Sequence, residues 1–182
     1  PHAMEGEILE TGGVAMAEVE LAEKDFDQVL LQDWETVEAG PFTATAVPAV
    51  DGFGDPQVSW VIEADGRRIL HAGDTLFHGS WWLIRMRLGE IDAAFLPVNG
   101  VTASFPHRQP ESDIEVTLNP EQAVAAARIL ETPRLVPIHY DAIHHPPVFE
   151  QTDEIPARLE AALGRDGDPE LVMLAEGETL DL

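Results

Sequence analysis

The chain is predicted to fold as an α/β domain, on three observations. Short apolar runs suited to buried strands stop abruptly at polar residues, as in Arg68-Ile69-Leu70-His71-Ala72-Gly73-Asp74 and Arg134-Leu135-Val136-Pro137-Ile138-His139. A segment with a strong helix start, Asn119-Pro120-Glu121-Gln122, leads directly into the second of those runs. Between two further apolar runs, Ala64-Asp65-Gly66 has the chemistry of a tight hairpin turn.

Taken in order, Ala3 to about Leu9 reads as a helix that ends before Gly12-Gly13, since glycine readily takes the backbone conformation that stops a helix. Phe26 to Val37 alternates apolar positions broken by Asp33 and reads as short strands. From Pro41 to Val47, Phe42, Ala44 and Ala46 alternate with Thr43 and Thr45, the period of a half-buried strand. Val58 to Ile62 and Arg68 to Leu70 flank the Asp65-Gly66 turn, and the hairpin delivers Asp74 at its exit. Trp81, Trp82, Ile84, Met86 and Leu88 fit a short helix stopped by Gly89, and Ile91 to Val98 is a buried strand.

A proline-punctuated loop follows, Phe105-Pro106-His107-Arg108-Gln109-Pro110, long enough to wall or cover a site. The helix after it has Asn119 as N-cap, Pro120 at its first position, and an apolar stripe of Ala123, Val124, Ala127 and Leu130. Its strand begins at Arg134 and ends at His139. After Pro146-Pro147, Ile155 to Leu163 gives a last helix, and Glu170 to Leu174 with Thr179 to Leu182 two closing strands.

Composition narrows the function classes. At 182 residues and 45% hydrophobic, the chain can bury one sizeable core, and nothing calls for a second domain. No apolar run approaches a membrane span, so no membrane association is expected, and the cysteine-free sequence excludes disulfides and thiolate metal sites. A cytoplasmic setting is the default expectation. Ten basic residues, with Lys24 the one lysine, stand against 34 acidic ones for a formal net charge of −24. That field repels a phosphate backbone, which argues against nucleic-acid binding. It suits concentrated salt, where self-repulsion is screened over a few ångströms; acidic residues filling solvent faces in an ordinary host explain it equally well.

A carboxylate and an imidazole brought to one rim of a sheet are the start of a divalent cation site, because Zn²⁺ and related ions take nitrogen and oxygen donors. Asp74 and His139 occupy such positions. Leu96-Pro97-Val98-Asn99-Gly100 ends a third strand near them, and Thr45-Ala46-Val47-Pro48-Ala49-Val50-Asp51-Gly52 a fourth.

Together these four segments resemble the metallo-β-lactamase-fold hydrolases, in particular the branch similar to ascorbate-6-phosphate lactonase. The resemblance implies a metallo-β-lactamase-like αββα sandwich, of which residues 1–182 are a single domain that is N-terminally incomplete, because the family's H-x-H-x-D-H loop is absent from this sequence. By resemblance, Asp74 matches the aspartate bridging two metals and His139 the last histidine ligand of the second. Asp51 falls where many members carry a histidine ligand of the first metal; a carboxylate there shifts preference toward harder ions. The implied cofactor is a divalent metal, zinc first, manganese or iron next. The implied chemistry is attack of metal-activated water on an ester, lactone or phosphoester of a small-molecule substrate, with Asp74 and His139 as its catalytic residues. The alternative is a non-catalytic, truncated member acting through oligomerisation or binding; the apolar face or sheet edge it leaves uncovered pairs with another chain, so a homo-oligomer is expected.

Simpler roles stand beside these. Asp74 and Asp51 also suit turns, His139 a satisfied interior histidine, and Asn99 either a substrate contact or a strand-end turn. His78, His144 and His145 read as loop residues around the site, Trp81 and Trp82 as helix packing.

Overall fold

A computed structural model of the chain describes residues 29–51, 57–106, 109–141 and 144–182. The helix expected over Ala3 to Leu9 lies outside these residues, as do His2 and His107. Strands β1 (Thr36–Ala39), β2 (Phe42–Pro48), β3 (Val58–Ala64) and β4 (Arg67–His71) form an antiparallel meander. Helix α1 (Ser80–Leu88) then crosses over to β5 (Ala93–Pro97), which runs parallel to β4. After the short β6 (Thr102–Ala103), helix α2 (Pro120–Leu130) leads to β7 (Arg134–Ile138), parallel to β5. β8 (Phe149–Glu150) pairs with β6 as a separate ribbon, and helix α3 (Ile155–Ala162) precedes β9 (Glu170–Leu171). Among the described residues the main sheet has seven strands in the order β1-β2-β3-β4-β5-β7-β9.

Local chemistry accounts for these elements. At the β3–β4 turn, Asp65 and Gly66 both take positive φ, 51° and 73°, the two-residue geometry whose twist matches the flanking strands. α2 begins with a full capping box: Asn119 accepts from the Gln122 amide at 2.9 Å while the Gln122 side chain accepts from the Asn119 amide at 3.2 Å. α1 ends at Gly89, whose φ of 77° suits a residue without Cβ. Its start is capped differently, for His78 Nδ1 accepts from the Ser80 amide at 3.1 Å.

The strand period sorts the sheet into two faces. Val61, Leu70, Ala94 and Leu135 are aligned across four strands and share one core with Trp81, Ile84, Val124, Leu130 and Leu159 of the helices. All four residues expected as the α2 stripe, Ala123, Val124, Ala127 and Leu130, are fully buried in it. Trp60, Ile62, Ile69 and Phe95 alternate with the core row on these strands and are only half buried. Helices α2 and α3 are tied by Arg158, whose guanidinium donates to Glu121 at 2.9 and 2.5 Å. No helix among the described residues is long and apolar enough to cross a membrane.

Three sequence expectations need correction. Of Phe26 to Val37, the described part enters a strand only at Thr36, because the chain turns at Asp33-Trp34, where Trp34 takes φ 73°. The closing strand stops at Leu171, and Thr179 to Leu182 form no strand: two residues pair with β7, Gly177 turns the chain at φ 84°, and a short apolar run with no neighbouring strand to complete its hydrogen bonds does not order as one. The tryptophan pair also divides, with Trp81 in the core and Trp82 52% exposed.

Candidate metal centre

Parallel pairing of β4, β5 and β7 brings their carboxyl ends to one rim, the edge at which open α/β sheets build sites. Asp74 lies three residues beyond β4 and His139 immediately beyond β7. They are 65 positions apart in sequence, yet His139 Nδ1 lies 3.1 Å from Asp74 Oδ1. Both side chains keep about a third of their surface in solvent, 38% for His139 and 36% for Asp74, so the pair stands at an accessible rim. Without a metal, a proton on Nδ1 donates to the carboxylate; with that proton released, Nδ1 and Oδ1 are two donors close enough to face one cation.

The backbone of His139 is itself unusual. Its φ of 59° and the 60° of Asp141 place two residues with side chains in the left-handed region, a strained conformation that collects at functional sites. The β7 strand ends there because its last residues feed this turn. Asp51, the third candidate, lies on the segment held to the Asp74 loop: Thr75 Oγ1 accepts from the Val50 amide at 3.0 Å, and the Leu76 amide donates to the Val50 carbonyl at 2.8 Å. Among the described residues no three of His, Asp or Glu stand close enough to hold a metal ion by themselves.

Another histidine joins this rim without a signal in the sequence beyond its place at the end of the Arg-Ile-Leu-His run. His71, last residue of β4, stacks on Phe95 with ring centroids 6.2 Å apart and accepts from the Gly73 amide through Nδ1 at 3.2 Å. Though His71 is exposed, partial desolvation of its ring lowers its pKa, and the nearby His139 lowers it further.

The other histidines are separately placed. His78 stacks on Trp81 at 4.2 Å, and burial pushes its pKa down to about 4. Its Nε2 and the Trp81 Nε1 are buried without hydrogen-bond partners among the described residues. His144 accepts from the Gln151 amide and His145 bridges to Phe149, both in the loop after His139. In the proline-punctuated loop, Phe105 packs edge-on against Phe149 of the small ribbon at 5.3 Å. Asn99, at the end of β5, is 8% exposed and bonded through Oδ1 to Thr117, a turn role with a buried partner.

Comparison with known proteins bears on the metal question. Residues 2–140 match the family model described as a beta-lactamase superfamily domain. The chain is 31% identical over 134 residues to a UPF0173 metal-dependent hydrolase of Thermococcus kodakarensis, covering 73% of this chain and 49% of that protein. A UPF0173 metal-dependent hydrolase of Methanoculleus marisnigri is likewise 31% identical, over 71% of this chain and 49% of its own length. The chain thus spans about half the length of these curated relatives. Among solved structures it resembles Igni18, a metallo hydrolase from Ignicoccus hospitalis, with TM-score 0.62 and 24% identity over 90% of this chain and 64% of that one. It also resembles an isothiocyanate hydrolase from Delia radicum gut bacteria, with TM-score 0.65 and 17% identity over 91% and 63%. The metallo-beta-lactamase fold protein YhfI of Bacillus subtilis matches at TM-score 0.54 and 16% identity over 87% and 59%, and at these identities the structural matches show that fold.

Proposed function

The chain belongs to the beta-lactamase superfamily, and on that premise we propose that it carries part of a divalent-metal site for hydrolysis, with Asp74 and His139 as ligands; Asp51, the third candidate, lies on the adjoining segment but does not form a three-residue cluster with them. The observation that carries this reading is the 3.1 Å approach of His139 Nδ1 to Asp74 Oδ1 at the carboxyl rim of the sheet. An imidazole nitrogen and a carboxylate oxygen are a donor set that Zn²⁺, Mn²⁺ and Fe accept, and the accessible rim leaves room for further ligands. A bound metal would lower the pKa of coordinated water toward neutrality, supplying hydroxide for attack on an ester, lactone or phosphoester.

The chain's own residues supply orientation and proton handling. In the metal-free chain Asp74 holds the His139 ring, and the lowered pKa of His71 disfavours a positive charge beside a cation site. His144 and His145 lie in the loop after His139, where an imidazole can protonate a leaving group. A small-molecule substrate fits this reading better than nucleic acid, because a net charge of −24 repels polyphosphate. The half-buried row of Trp60, Ile62, Ile69 and Phe95 supports a further reading, a single domain that associates with another copy through this sheet face.

The test is metal content by elemental analysis together with turnover of a generic phosphodiester. Bound metal with turnover, lost at least about 100-fold in Asp74→Asn and in His139→Ala, is the expected result. A chain that takes up no metal and shows no turnover sinks the enzyme reading and leaves the binding role.

A further inference from the structure

We propose that Asn99 and Thr117 are positioning residues: their buried hydrogen bond braces the two loops that bring Asp74 and His139 together. This rests on the reading of Asp74 and His139 as the working pair. Thr117 Oγ1 donates to Asn99 Oδ1 at 2.7 Å and accepts from the Val101 amide at 3.2 Å. Asn99 is 8% and Thr117 4% exposed, so the bond lies in a low-dielectric setting where it is strong and its loss is costly.

Backbone hydrogen bonds run from this pair toward both candidate ligands. On one side the Val98 amide donates to the carbonyl of Ile138, the residue before His139, at 3.2 Å. On the other the Leu118 amide donates to the carbonyl of Thr75, the residue after Asp74, at 2.9 Å. Thr75 is fully buried, and its hydroxyl holds Val50, the residue before Asp51, at 3.0 Å from the amide. The circuit therefore touches the chain neighbour of every candidate ligand and leaves their carboxylates and imidazole to the site.

Gly100 lets this brace close. Its φ is 48°, and a Cβ there would stand 2.9 Å from the Asn119 Cβ, so only glycine allows the end of β5 to lie this close to the segment entering α2. That approach puts Asn99 against Thr117. A ligand pair functions only when held to within about half an ångström; the Gly100 amide donates to the Leu118 carbonyl at 3.0 Å and the Val116 amide to the Val101 carbonyl at 2.7 Å, and the buried side-chain bond adds to these a directional contact between Asn99 and Thr117.

The test uses the whole chain without added metal and reads the ¹⁵N shifts of the His139 ring. Wild type is expected to show Nδ1 hydrogen-bonded to Asp74. Thr117→Val, which keeps the shape and removes the hydroxyl, is expected to lose that signature, and Thr117→Ser to restore it. Thr132→Val, which removes another buried hydroxyl bonded to the Arg134 carbonyl, is expected to lower the melting temperature while leaving the His139 shifts in place. A folded Thr117→Val with unchanged His139 shifts overturns the proposal; should that variant not fold, Thr117→Ala and Asn99→Ala are read the same way.

A Co²⁺ titration separates this inference from the metal reading. Thr117→Val is expected to bind Co²⁺ about 10 to 100-fold more weakly than wild type, with Thr117→Ser close to wild type. If wild type takes up no Co²⁺ yet the shifts still follow the hydroxyl, the brace stands and the metal reading falls. A wild-type spectrum without the Asp74 signature overturns the pair and its brace together.

Discussion

At the scale of single residues, the site couples a strained backbone to a polar pair. His139 holds a φ of 59°, which costs a non-glycine residue on the order of 1–3 kcal/mol, and it does so beside the carboxylate of Asp74. His78 shows the opposite use of an imidazole, stacked on Trp81 and capping α1 through Nδ1 while kept neutral. Burial pushes its pKa to about 4 from an ordinary 6.5, so the unfolded chain takes up this proton first as pH falls. The stability that neutral His78 contributes is complete above pH 6.5 and is lost progressively between 6.5 and 4. Carboxylates titrate near the same range, and the difference between wild type and His78→Phe isolates the histidine. Thermal melts from pH 7 to 4 are expected to show wild type losing more stability than His78→Phe; parallel losses would remove His78 from the account.

At the scale of elements, α2 is the best-specified piece of the chain. Its capping box satisfies two backbone amides that a helix otherwise leaves to solvent, and five of its residues beyond Pro120 are wholly buried. Asn119→Ala is expected to cost about 1 kcal/mol in urea denaturation. Gly100→Ala is expected to cost more, about 1–3 kcal/mol, because the added methyl must push the start of α2 away and the backbone is left-handed. Equal small losses for the two would mean that the β5 end and the α2 entry adjust independently. The weakest elements are the two-residue strands β6, β8 and β9, whose short pairings rest on neighbours more than on their own residues.

For the whole molecule, 34 acidic residues against ten basic ones set the conditions under which the fold is comfortable. Several basic side chains are committed to pairs within the structure: Arg128 with Asp168, Arg158 with Glu121, Arg85 with Glu131, and Arg68 with Glu63. What remains is a repulsive surface whose energy falls as salt shortens the screening length from about 10 Å at 0.1 M to about 3 Å at 1 M. The melting temperature is expected to rise by several degrees from 0.1 to 2 M KCl. A curve that is flat across that range would leave the acidic surface as ordinary solvent-facing composition.

Residue type and spacing alone determined the α/β class, the Asp65-Gly66 hairpin, the capped α2 with its buried stripe, and the placing of Asp74 and His139 just beyond strands, because each follows from local backbone preference or from strand and helix period. The early and closing strands depart from expectation for different reasons: the described part of 26–37 turns at Asp33-Trp34 before it enters β1, and apolar alternation in 179–182 carries no information on whether a neighbouring strand is present to complete the hydrogen bonds. Only the tertiary structure decided that Asp74 meets His139 across 65 positions, that His71 joins their rim, and that Asn99 finds Thr117 behind it. Those meetings depend on the parallel order β4-β5-β7 and on how loops close over its end, a long-range choice that no single segment encodes.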